Sequence, residues 1–117
     1  MLPVRGKRAE TLCACHLLKA VQGWNDLGLG AFELRYVRDI QKREVDFLVV
    51  RNDEPWFLVE VKASETRLSP ALLHYHAVLG CPHAFQVVMQ LDHVDADCFA
   101  EARPVAVPAQ TFLSQLP

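Results

Sequence analysis

Ala14, Leu17, Val21 and Trp24 recur at alternating spacings of three and four, with Glu10 in line ahead of them. That spacing predicts an amphipathic helix over residues 9–24 with the stripe turned to a core. Gly23, Gly28 and Gly30, with Asn25 and Asp26 among them, break the pattern. Three runs rich in Val, Leu, Phe, Tyr or Trp follow at 31–38, 43–51 and 55–62, each bounded by polar turn residues, and these predict strands. Ser69-Pro70 supplies an N-cap and a proline at the first helical position. The helix it opens should run to Leu79 and stop at Gly80, with Pro82 beyond. Residues 85–89 read as a buried strand, 104–107 as a short strand and 110–116 as a short helix. Helix, three-strand meander, helix, strand and tail together predict an α/β fold, a central mixed sheet flanked by helices.

At 117 residues the chain suits one domain, and with 51% hydrophobic residues it can bury a core. Charges interrupt the apolar stretches well before membrane-spanning length, so no membrane partner is expected. The basic residues of 1–8 are not followed by an apolar segment, which argues against a secretory leader. Cys13, Cys15, Cys81 and Cys98 include no C-x-x-C pair and read as reduced thiols of a cytoplasmic protein. The net charge of −2 weighs against strong nucleic-acid binding, which draws on Lys and Arg. Local clusters (Arg35, Arg38, Lys42 and Arg43; Lys62 and Arg67) leave room for a basic patch, although on composition alone a solvated surface is the preferred reading. No repeats or low-complexity segments occur.

The stretch from Arg43 to Lys62 carries the chemistry. A hairpin around a three-residue loop, Asn52-Asp53-Glu54, sets Arg51 opposite Pro55 and, counting outward, Asp46 opposite Glu60. Cross-strand partners share a face with Cβ atoms about 5 Å apart. Lys62 lies two residues beyond Glu60 on that face, with Glu44 opposite. Two carboxylates packed together among apolar residues repel each other unless a hard cation such as Mg²⁺ or Mn²⁺ joins them. The nearby ammonium can then orient a water or offset transition-state charge, which is equipment for phosphodiester hydrolysis. A plain salt bridge of Lys62 with Glu60 or Glu44 is the simpler alternative. Glu10 adds weight, because a carboxylate on a core-facing stripe needs a partner.

Glu44-Val-Asp-Phe47 followed by Val59-Glu-Val-Lys-Ala-Ser64 resembles the D…E-x-K signature of the PD-(D/E)XK nuclease superfamily. Gly6-x-x-x-Glu10 on the preceding helix and Tyr36-x-Arg38 before the hairpin match as well. More narrowly, nearly the whole chain is similar to a domain of unknown function that sits C-terminal to AAA-type ATPase modules in prokaryotes. Val107-Pro108 followed by Phe112-Leu113 fits that domain's ending. The resemblance implies a restriction-endonuclease-like fold in which Asp46, Glu60 and the Val61 carbonyl ligate Mg²⁺ or Mn²⁺. Glu10 would be an accessory ligand, direct or through water, Lys62 would position the attacking water, and Arg38 would touch the scissile phosphate. It further implies cleavage of DNA, or less readily RNA. No G-x-x-x-x-G-K-[ST] loop occurs, so the chain is expected to be a stand-alone version, or a fragment, of something larger. The competing function is a non-catalytic module that docks an AAA-type ATPase or helps oligomerise it, and a homo-oligomer is a further expected partner state.

Other motifs read as structure. Cys13-x-Cys15-His16 and His74-x-His76 diverge on a helix and suit core or surface better than zinc. Asp92, Asp95 and Asp97 beside His93 lack the glycine and terminal glutamate of a calcium loop. Trp24 and Trp56 can stack on bases but are more simply core residues.

Overall fold

The computed structural model describes residues 2–116, with side chains from residue 8 onward. A first helix, α1 (Leu2–Asp26), leads into the strands β1 (Phe32–Arg38), β2 (Glu44–Arg51) and β3 (Glu54–Lys62). Helix α2 (Pro70–Leu79) crosses to β4 (His83–Val88). A 3-10 turn at Cys98–Ala100, strand β5 (Val105–Pro108) and helix α3 (Ala109–Leu113) complete the chain. The five strands lie in sequential order, β1 to β3 antiparallel and β3 to β5 parallel. The expected mixed sheet flanked by helices is therefore the observed architecture.

Each face of the sheet has its own core. On one face, Cys13, Leu17, Ala20 and Val21 of α1 pack on Phe47, Val49, Phe57, Val59, Phe85 and Val87, with Phe112 closing the end. On the other, Leu72 and Tyr75 of α2 cover Val45, Leu48, Val50, Leu58 and Ala84. Strands buried on both faces explain why 47–50 and 57–60 are continuously buried rather than alternating. Trp24 and Trp56 lie 5.3 Å apart and both touch Phe32, so they belong to the packing on the α1 face. All four cysteines are free thiols, and Cys13, Cys81 and Cys98 are buried.

Helix α2 starts and stops where its sequence signals place it. Ser69 caps it through Leu72 N–H, and Gly80 ends it in the left-handed region at φ 65°. Helix α1 is longer than the stripe alone marks, and Gly6 falls in its first turns, outside the described side chains.

The β2–β3 connection differs from the expected three-residue loop. Asn52 and Asp53 both have positive φ (53° and 66°), and Arg51 pairs directly with Glu54, which makes a two-residue turn of the primed kind. Trp56 then stands as one extra residue on β3, because Val50 pairs with Pro55 and Val49 with Phe57. This bulge offsets the shorter turn, so Leu48↔Leu58 and Phe47↔Val59 keep the register that the longer loop would have given.

Candidate functional site

Beyond Phe47↔Val59 the β2–β3 ladder ends. On the other side of β2, Arg35 pairs with Leu48 and Val37 with Val45, so Asp46 and Phe47 together face the single residue Tyr36. This second bulge places Asp46 where β2 and β3 part. Its Oδ2 accepts the backbone N–H of Val61 at 2.7 Å, so a side chain replaces the missing ladder bond. On β3 the carbonyl of Lys62 accepts from Met89 N–H and so points toward β4. Because neighbouring residues along a strand direct their backbone groups to opposite sides, the Val61 carbonyl shares the side of its N–H, toward Asp46.

Glu60 sits on the α2 face beside Gln86, its parallel partner on β4. Only 9% of it is exposed, and its Oε2 is buried without a hydrogen-bond partner among the described residues. A buried carboxylate oxygen left unpaired is costly, so it marks a place built for something else. Burial pushes the Glu60 carboxyl up to about 7; the charge of Asp46 adds to this, while Lys62 and the Ser69 side chain oppose it. Asp46, half-buried, is pushed up to about 6, chiefly by burial; the Val61 N–H opposes the rise and Glu10 adds to it. Lys62 is half-buried and acts on both carboxylates through its charge. Among the described residues it makes no ion pair with either. Glu44 is instead bound by Arg38, at 2.9 Å. The structural salt bridge that offered the simpler account of Lys62 is absent among these residues.

Glu10 is exposed rather than turned into the core, whose α1 residues Cys13 and Ala14 lie one turn further along the helix. It stands between two hollows. One, of about 280 Å³, has Leu12, Val61 and Met89 on its walls with Arg8, Lys62 and Gln90. The other, of about 230 Å³, is bounded by Tyr36, Arg38, Glu44, Asp46 and Phe47. Among the described residues no three His, Cys, Asp or Glu side chains gather closely enough to hold a metal ion. Asp46 stands between the other two carboxylates electrostatically: its charge raises Glu60, and the charge of Glu10 raises Asp46. The donors available to a cation here are oxygens only: Asp46, Glu60 and the Val61 carbonyl. With the orphaned Glu60 oxygen, this set fits a hard divalent cation.

Gln86 has no counterpart among the sequence candidates. It is fully buried on β4; its Oε1 accepts from Ser69 N–H at 2.9 Å, and its Nε2 donates to the carbonyls of Glu65 and Arg67 at 2.9 and 2.8 Å. It thereby fixes the loop between Lys62 and α2 behind Glu60. A lone amide inside the apolar run Ala84–Val88 was the available signal. The remaining motif residues make local contacts: His76 with the Ala102 carbonyl, His93 with Asp95 and Thr111, and Arg43 with His74.

The fold and site thus define an α/β protein with two acidic groups and a lysine at the end of adjoining strands. The chain belongs to the family described as Domain of unknown function (DUF4143), whose model matches residues 5–106. No curated protein matches it, and neither does any solved structure. No helix among the described residues is long and apolar enough to cross a membrane.

Proposed function

We propose that the protein is a PD-(D/E)XK-type, metal-dependent nuclease that hydrolyses phosphodiester bonds, in DNA more readily than in RNA. The observation that carries this reading is the buried Oε2 of Glu60, which has no hydrogen-bond partner among the described residues and feels the charge of Asp46. Lys62 acts on both carboxylates but is in no ion pair among those residues. Asp46, Glu60 and the Val61 carbonyl would hold Mg²⁺ or Mn²⁺, with Glu10 acting through a water. Bound there, the cation would lower the pKa of water and neutralise charge on the phosphate.

The chain's own residues supply the rest. The Val61 N–H holds the Asp46 carboxylate in one orientation. The Lys62 ammonium donates to the attacking water and to the phosphate oxygens as negative charge builds on them. Attack forms one P–O bond and breaks the ester P–O bond; the attacking water gives up one proton to solvent and the leaving oxygen takes one from solvent. Arg38, held by Glu44 at the rim, reaches toward the phosphate.

The test is cleavage of plasmid and single-stranded DNA with Mn²⁺ or Mg²⁺. Wild type should cut only with metal, and Asp46→Asn and Lys62→Ala should each abolish cutting while remaining folded. Cutting that survives in both variants would refute the assignment. An absence of both cleavage and metal stabilisation would transfer the reading to a non-catalytic module that partners an ATPase or a second copy of the chain.

A further inference from the structure

On β1 the residues facing α1 form one row: Phe32, Leu34, Tyr36 and Arg38. Phe32 and Leu34 pack under the helix. Tyr36 emerges beyond it and is 80% exposed, although it is aromatic and lies beside a hollow. Its ring is not loose, because it rests against Phe47 at 5.8 Å between centroids, tilted by 42°. It also sits directly across from the Asp46-Phe47 bulge. One hollow of about 230 Å³ therefore offers a supported aromatic face, the Arg38 cation and the Asp46 carboxylate within two strand positions.

Charge narrows what can use that face. At a net charge of −2, the chain as a whole does not attract a polyanion, so phosphate neutralisation rests on local groups such as Arg38 and Lys62. Stacking of a base on an aromatic ring supplies affinity without net positive charge and without regard to sequence. A base inside a duplex has both faces covered by its neighbours, whereas a base in a single strand has a face to give.

We propose that Tyr36 is the stacking platform for an unpaired nucleobase next to the phosphate attacked at Asp46, so that the preferred substrate is a single strand or a frayed end. This deepens the nuclease reading and rests on it. The base lies on the Tyr36 ring, its phosphate lies toward Arg38, and the strand continues past Asp46 to Lys62.

The experiment is fluorescence anisotropy of labelled oligothymidylate and of a hairpin duplex of equal length, with Ca²⁺ present. Wild type should bind the single strand more tightly. Tyr36→Ala should weaken that binding by about tenfold, Tyr36→Phe should stay close to wild type, and duplex binding should be the same in all three. Equal single-strand affinity in wild type and Tyr36→Ala would overturn the proposal, as would a preference for duplex. Mn²⁺ stabilisation and plasmid cleavage, measured on the same proteins, separate the two failures. If both persist while Tyr36→Ala has no effect, only the stacking role falls; if wild type shows neither, the nuclease reading falls with it.

Discussion

The backbone N–H of Val61 on β3 donates to the carboxylate of Asp46 on β2 at 2.7 Å, at the point where the ladder between the two strands ends. One side chain therefore closes the sheet and presents an acidic group to the site. The two roles can be separated by substitution. Asp46→Asn keeps an oxygen acceptor for Val61 and removes the charge that Glu10 and Glu60 repel. Without metal, its melting temperature should equal or exceed that of wild type. Asp46→Ala also removes the acceptor and should cost about 1–3 kcal/mol, the usual penalty for stranding a partly buried donor. Thermal denaturation in EDTA reads both, and an Ala variant as stable as Asn would show that the hydrogen bond contributes nothing.

The same carboxylates set a pH dependence. Both are raised by folding, Asp46 from 3.8 to about 6 and Glu60 from 4.5 to about 7. Between the unfolded and folded values the native state binds more protons than the unfolded chain, so stability falls as pH rises. The metal-free protein should therefore be most favoured by these groups near pH 4 and should lose that contribution progressively up to about pH 7. Glu60→Gln should flatten the slope and raise the melting temperature at pH 8. A cation that binds the ionised pair would act in the opposite sense, so Mn²⁺ should stabilise wild type at pH 8 more than at pH 5. Melting curves at both pH values check this, and a slope unchanged in Glu60→Gln would reject the assignment.

Much of this was legible in the chain. The 3.6-residue period of Ala14, Leu17, Val21 and Trp24, the Ser69-Pro70 start and the Gly80 stop are local signals that tertiary packing did not override. The register at Leu48↔Leu58 and Phe47↔Val59 follows from a three-residue loop only because a bulge at Trp56 makes up for the shorter turn, and the paired ladder stops there, short of Asp46 and Glu60. Periodicity carries no information about an inserted residue, so agreement on those two pairs does not depend on a correct turn. The bulge at Asp46-Phe47, which turns the carboxylate into the gap between strands, was invisible for the same reason. Gln86 stands out little in the chain, because its importance comes from the β3–β4 pairing and the 65–69 loop, both set by tertiary structure.

Arg38 tests substrate contact with little structural confusion. Its bond to Glu44 joins two exposed side chains and should contribute less than about 1 kcal/mol. Arg38→Ala should leave the melting temperature nearly unchanged and raise KM for DNA, while kcat falls less. If neither parameter moves, Arg38 has no role in binding the phosphate.

The primed turn offers a change that should stabilise. Asp53 holds φ at 66°, a conformation an L side chain adopts at a cost and glycine adopts freely. Asn-Gly is the preferred pair for this turn, so Asp53→Gly should raise stability by about 0.5 kcal/mol without touching the site. Asn52→Gly should not help, because the Asn52 side chain accepts the Ala31 N–H at 2.9 Å and ties the hairpin to the start of β1.

Gln86 holds together the layer behind Glu60. Its amide satisfies one N–H and two carbonyls of the loop that leads from Lys62 into α2, all through a fully buried side chain. Gln86→Leu fills similar space but leaves those three groups without their partner, so stability should fall by about 2 kcal/mol or more. The damage should also reach the site, since Ser69 anchors this loop to Gln86 and its side chain moderates the Glu60 carboxyl. Released, Ser69 no longer opposes the upward push of burial, so the pH at which Mn²⁺ begins to stabilise the protein should move higher. Gln86→Glu separates geometry from shape: it keeps the acceptor for Ser69 N–H but sets a third carboxyl beside Glu60, and it should weaken metal binding at neutral pH even where the protein remains folded. Mn²⁺ titrations of wild type and both variants, followed by melting temperature at pH 6 and pH 8, distinguish these effects. An unshifted metal response in Gln86→Leu would confine Gln86 to folding alone.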